Sequence, residues 1–191
     1  MASTCGDYEC VTFSEFVEGM FIFEDICFGT DDFVKVAEKS GILMNKMNRC
    51  LVINDDNFQF EPRNKDQLQS PDGKIKLQLY KNNDQRDGNP VCIIVQNYVV
   101  ACSTEDNEKI HYLLDVPNEI IGNSHKAMFF MKDIKGKTNY FTFESSLCPH
   151  WFLGFTSISG AWKLDLIKTD TEVNEKWGMG SMVNVTSLEK E

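Results

Sequence analysis

The sequence predicts an all-β fold, and three observations carry that expectation: many short apolar runs, a period of two inside several of them, and turn-forming residues between them. From about residue 42 the runs occupy 42–47, 50–54, 57–61, 74–81, 91–96, 98–103, 110–116, 127–132, 140–144, 151–155, 162–168 and 180–185. Ile75, Leu77 and Leu79 alternate with other residues, as do Trp162, Leu164 and Leu166. Successive side chains of a strand point to opposite faces, so such alternation belongs to strands with one buried face. The separators are Ser70-Pro71-Asp72-Gly73, Asp87-Gly88-Asn89-Pro90, Ile134-Lys135-Gly136-Lys137 and Ser159-Gly160, all rich in turn formers. About twelve short strands make three sets of four, the strand number of a β-trefoil, and a β-trefoil is the expected fold. Segment 118–125 has room for one helical turn.

The region before these runs differs in charge. The first basic residue is Lys35, and ahead of it stand Asp7, Glu9, Glu15, Glu18, Glu24, Asp25, Asp31 and Asp32. These eight acids supply −8 of the chain's net charge of −10, and the remainder carries only −2. Residues 1–32 read as an acidic pro-segment and 33–191 as the β-trefoil domain. Within the pro-segment, 11–23 mixes Phe13, Phe16, Phe21 and Phe23 with Glu15 and Glu18; it either adds a strand to the barrel or stays loose.

A chain of 191 residues can bury one sizeable core, and 42% hydrophobic with 25% charged residues is an ordinary globular composition. A net acidic chain is poorly suited to nucleic acid or an anionic membrane, both of which reward basic surface. Residues 1–10 lack a basic n-region, and the apolar stretch 20–23 is too short for a secretory signal. Such a chain is expected to be made in the cytosol and to stay there unless another route releases it. The cysteines at 5, 10, 27, 50, 92, 102 and 148 are odd in number and irregularly spaced. They read as mostly free thiols, with Cys50, Cys92 and Cys102 as small core residues.

No enzyme motif is present: no G-x-S-x-G, phosphate loop, H-E-x-x-H or dinucleotide fingerprint occurs. His111, His125 and His150 fall on different elements without ligand partners at metal spacing. Cys148-Pro149-His150 brings a thiol and an imidazole close in sequence, but a turn between strands is the simpler reading. No catalytic residue, metal or cofactor is expected. The sequon Asn184-Val185-Thr186 reads as coincidence. Trp151 and Trp162 lack the cationic groove of a base-stacking platform.

The segment Phe143-Glu144-Ser145-Ser146-Leu147-Cys148-Pro149-His150-Trp151-Phe152-Leu153 resembles the signature of interleukin-1-family cytokines, with Gly154-Phe155-Thr156 departing from it by one residue. Met128-Phe129-Phe130-Met131-Lys132 is similar to the family's preceding strand. Trp162-Lys163-Leu164-Asp165-Leu166-Ile167-Lys168 resembles the closing strands of the interleukin-18 branch. Leu79-Tyr80-Lys81 with Arg86, and Lys35 with Lys39 ahead of Leu51-Val52-Ile53, are similar to other parts of the same branch. Pro149 and Trp151 lean instead towards the interleukin-1 and interleukin-36 branches, so the subfamily stays open at this point.

The resemblance implies a β-trefoil cytokine, monomeric, cut by a caspase and bound by immunoglobulin-like receptor chains, one primary and one accessory. Cleavage is expected at Asp31 or Asp32, where the acidic segment gives way to the first bases. The matching receptor-facing positions are Lys35, Lys39, Lys81 and Arg86. Their rationale is charge complementarity, which speeds and orients encounter. A receptor antagonist of the same fold, a carbohydrate-binding trefoil and a hydrolase built on Cys148 and His150 are the competing readings.

Overall fold

The computed structural model describes residues 32–54, 57–82, 86–103, 110–116 and 118–168, and the backbone alone at 12–17, 20–24 and 183–187. In chain order the strands are β1 (Thr12–Val17), β2 (Met20–Glu24), β3 (Phe33–Asn45), β4 (Arg49–Asn54) and β5 (Asn57–Pro62). After a one-turn helix α1 (Lys65–Gln69) come β6 (Ile75–Lys81), β7 (Asn89–Val95), β8 (Tyr98–Cys102), β9 (Ile110–Leu113) and β10 (Glu119–Ile120). The chain continues through β11 (Phe129–Asp133), β12 (Tyr140–Ser145), β13 (Trp151–Ile158), β14 (Ala161–Lys168) and β15 (Val183–Ser187).

Six of these strands close into a ring. β3 pairs with β6, β6 with β7, β7 with β11, β11 with β12, β12 with β15, and β15 returns to β3, every pair antiparallel. Closure leaves no open edge along the ring. Three hairpins, β4–β5, β8–β9 and β13–β14, hang from β3, β7 and β12. Three repeats of four strands, six in the barrel and six in the hairpins, make this the expected β-trefoil.

The alternation read from sequence is the alternation observed. Ile75, Leu77 and Leu79 are 0%, 6% and 2% exposed and face the barrel interior, where they meet Val91, Ile93 and Val95 of β7. Leu164 and Leu166 are buried in the same core, with Trp162 packed at its margin. Trp162 lies edge-on to Phe155, which in turn meets Phe60 at 5.6 Å; Arg49 sits over the Trp162 ring. This aromatic string ties two hairpins together, as does the pairing of Trp162 with Phe60.

Two apolar runs do not alternate, for a reason visible in the packing. In β7, Val91, Ile93 and Val95 point into the barrel, while Cys92 points outward into a second buried cluster. In 128–131, Phe129 and Met131 join the barrel core, while Met128 and Phe130 join the outer cluster with Phe33, Tyr80, Val99, Val116 and Ile120. A strand covered on both faces reads as a continuous apolar run.

The turns follow their residues. Ser159 and Gly160 both have positive φ (51° and 84°) between the paired Ile158 and Ala161, the two-residue turn whose twist matches a hairpin. Gly88 (φ +114°) lies so close to the β11 backbone that a Cβ there would stand 3.0 Å from the Met131 carbonyl.

Several expectations need correction. Segment 118–125 holds β10 and bends rather than a helical turn, because Glu119 and Ile120 pair with Val34 and Phe33. Residues 33–41 form the first part of the long strand β3. A shift of register between Lys35 and Ala37 breaks their alternation. Of segment 11–23, residues 12–17 and 20–23 lie in the β1–β2 hairpin, a two-stranded sheet of its own. Residues 180–182 of the last expected run lie outside the described residues. Cys50, Cys92 and Cys102 are buried as expected.

Candidate interaction surface and processing junction

The candidate surface is built on β3 and β6. Residues directly opposite each other on paired strands share a face. Lys35 pairs with Tyr80 and Glu38 with Gln78, on the outer side of the barrel wall; Lys39 pairs with Leu77, and Val34 with Lys81, on the inner side. Unbroken alternation would set Lys35 and Lys39 on one face. The irregularity after Lys35 separates them, because Val36 and Ala37 both turn towards the core.

Lys35 is therefore a neighbour of Glu38 rather than of Lys39. Glu38 accepts hydrogen bonds from Lys35 Nζ, Lys76 Nζ and Gln78 Nε2, each at 3.1 Å. The Gln78 amide, followed by Lys35, holds the Glu38 carboxyl down to about 2, against 4.5 for an ordinary glutamate. Sequence reading missed this cluster. The mixed charges of 35–39 were its signal, but their faces depend on the irregularity in β3.

Lys81 is buried, 7% exposed, at the end of β6. Arg86 is tied inward. Its guanidinium donates to the Ser146 carbonyl at 3.0 Å and to the Asn123 carbonyl, and lies 4.2 Å from the centre of the Phe130 ring. It joins the β6–β7 loop, the loop after β10 and the turn after β12. The four basic positions thus do not form one patch.

At the junction, Asp31 lies outside the described residues. Asp32 precedes β3 directly, and its Oδ1 accepts the Gly122 N–H at 2.8 Å. Phe33 is 0% exposed, 6.1 Å from Phe130 ring to ring, and pairs with Ile120 of β10. The Asp32–Phe33 bond therefore sits where the acidic segment enters the sheet.

Cys148-Pro149-His150 forms the turn between β12 and β13. The Cys148 N–H donates to Ser145 Oγ at 3.1 Å, and His150, at φ +67°, donates its N–H to the Glu144 carboxylate at 2.8 Å. A shallow depression of about 200 Å³ beside β6 is lined by Glu38, Lys76, Gln78, Val99, Leu114 and Asp115. It is smaller than a typical small-molecule site. Among the described residues no group of three or more His, Cys, Asp or Glu side chains is placed to hold a metal, and no helix is long and apolar enough to cross a membrane.

These features define a β-trefoil whose exterior is a wall of strands and turns. The sequence pattern of the Interleukin-1 / 18 family matches residues 63–174, more than half of the chain, and the chain belongs to that family of cytokines. It is 26% identical to interleukin-18 of Boselaphus tragocamelus over 179 residues, covering 89% of this chain and 92% of that one. Against interleukin-18 of Bos taurus it is 27% identical over 173 residues, 86% and 89% of the two chains. In shape it is similar to a Gallus interleukin-1 beta mutant, with a TM-score of 0.62, 16% identity, and 81% and 99% of the two chains covered. A β-trefoil named BEL aligns with a TM-score of 0.52 and 11% identity over 78% and 93%. At such identities the solved structures speak to the fold alone. The likeness in sequence along the chain is to interleukin-18.

Proposed function

We propose that the chain is a pro-inflammatory cytokine of the interleukin-18 type, made as a cytosolic precursor with residues 1–32 as pro-segment and 33–191 as the active domain. It is activated by caspase-type cleavage at Asp31 or Asp32, leaves the cell by an unconventional route, and acts as a monomer on a primary and an accessory immunoglobulin-like receptor chain. The observation that carries this reading is the likeness to interleukin-18 along most of both chains.

The geometry adds physical support. A protease needs its substrate extended and free on both sides of the cut, whereas Phe33 is paired and buried. Cleavage after Asp31 disturbs the sheet less than cleavage after Asp32. On the receptor side, Lys35 steers the encounter from the outer side of β3, with Lys39 further along the strand on its other face. Lys81, buried, and Arg86, tied inward, act by shaping the adjoining end of β6 and its loop.

The test pairs two measurements. A processing caspase is incubated with the full chain and the products are weighed; a single cut after Asp31 or Asp32, abolished by changing both to alanine, is expected. Reporter cells carrying candidate receptor pairs then receive the trimmed fragment and the uncleavable full chain. Signalling by the fragment alone supports the reading. Equal signalling by both removes the pro-segment's role, and receptor binding without signalling assigns an antagonist.

A further inference from the structure

Two cysteines far apart in sequence meet at one serine. Cys102 ends β8 and is 1% exposed; Cys148 lies in the turn after β12 and is partly exposed. Both reach Ser145 Oγ: the Cys102 Sγ at 3.1 Å and the Cys148 N–H at 3.1 Å. The backbone holds the two segments in place through a third. Cys102 N–H donates to the Lys126 carbonyl at 2.8 Å, and Ser146 N–H to the Met128 carbonyl at 2.9 Å. Burial pushes the Cys102 thiol up to about 11, and the neighbouring Cys148 sulfur adds to this by charge and by hydrogen bonding.

We propose that Cys102 and Cys148 form an intramolecular disulfide when the protein meets a small-molecule disulfide oxidant such as oxidised glutathione, making this pair a modification site. Cys148, the partly exposed residue of the pair, attacks one sulfur of the oxidant as a thiolate. That S–S bond breaks, and one glutathione thiolate departs and takes up a proton. Cys102 then gives its proton to solvent, and its sulfur attacks the mixed disulfide at Cys148. The second glutathione leaves as thiolate and is protonated. Two protein thiols are oxidised and one small disulfide is reduced to two thiols.

The buried thiol does not need to meet the oxidant, because the second step is intramolecular. Its raised proton affinity makes that step faster as pH rises. Cys50 and Cys92 are also held up by burial, to about 11 and about 12, but both are buried, so neither offers the entry point that Cys148 provides. The bond would close a loop of about 45 residues and tie the β8–β9 hairpin to the turn beside Ser146, which Arg86 also grips. The inference concerns chemistry within the chain and stands whether or not the receptor reading does.

The full chain, reduced and then equilibrated in glutathione buffers of rising oxidising strength, is quenched by alkylation and digested without reductant. The expected product is one cross-linked peptide pair holding Cys102 and Cys148, lighter by two hydrogens than the separate thiols, with a melting midpoint about 8 °C above the reduced form. Cys148→Ser should lose both the cross-link and the shift, and Cys102→Ala should leave glutathione attached at Cys148. Full alkylation of both cysteines in oxidising buffer would overturn the proposal. So would a stable glutathione adduct at Cys148 in the unchanged chain, or pairing of either sulfur with a different cysteine.

Discussion

The barrel interior and the outer apolar layer are built from the two faces of the same strands, yet they depend on the rest of the chain in different ways. The interior is enclosed by a ring that closes through β15, and its residues come from barrel strands and hairpins in all three repeats. The outer layer draws on Cys92, Val99 and Phe130 from the second repeat, with Phe33 arriving from the start of β3 and Ile120 from the short strand that pairs with it. The interior rests on closure. The outer layer rests on how a charged segment enters the domain, and so it can respond to events at Asp32 and Phe33.

Paired truncations of the same side chain test that contrast most strongly. Phe143 and Phe33 are both 0% exposed. Phe143→Ala should destabilise by about 4 kcal/mol, because a closed barrel cannot collapse onto the void. Phe33→Ala should cost about 2–3 kcal/mol, since the edge of the outer layer can settle, and should speed cleavage at the junction. Chemical denaturation gives both values, and equal costs would erase the distinction between the two layers.

Arg86 sharpens the comparison next. Arg86→Lys keeps the charge but loses the fork that serves two carbonyls and the Phe130 ring, so a loss of about 1–2 kcal/mol is expected. Unchanged melting together with weaker receptor binding would make Arg86 a contact residue and nothing more. The smallest effect belongs to the exposed cluster on β3 and β6. Because the folded-state value of Glu38 is depressed, its contribution is present above about pH 4.5 and fades as pH falls towards about 2. Solvent screening keeps it below about 1 kcal/mol. Melting midpoints of Glu38→Gln and the unchanged chain should differ slightly at neutral pH and converge near pH 2.

Much of the barrel could be read from residue order because alternation and burial coincide in β6 and β14. The apolar runs 91–95 and 128–131 were visible as strands, but their second covered face was not, since it depends on loops folding back over the barrel. Residues 33–41 escaped because the irregularity after Lys35 interrupts the period of two and places charge on both sides. Helix α1 carries a capping box between Asn64 and Gln67, a local signal backed by a single apolar contact, that of Leu68 with the Ile42, Cys50 and Val52 cluster. The candidate surface was harder still. Lysine and arginine are ordinarily exposed, so nothing in the order of residues announced that Lys81 is buried or that Arg86 is turned inward. The meeting of Cys102 with Cys148 is purely tertiary.

Because β15 is inserted between β3 and β12, the first and last staves of the barrel stand side by side. A ribosome must therefore deliver residues 183–187 before the cylinder can shut. Until then two bare strand margins wait in the company of other nascent chains. Assembly of this molecule is accordingly a late, all-at-once event with long-range pairings, slow by the standards of helical proteins. A stop codon ahead of residue 183 would leave both margins permanently unsealed, and aggregation rather than a smaller working cytokine is what such a chain would yield.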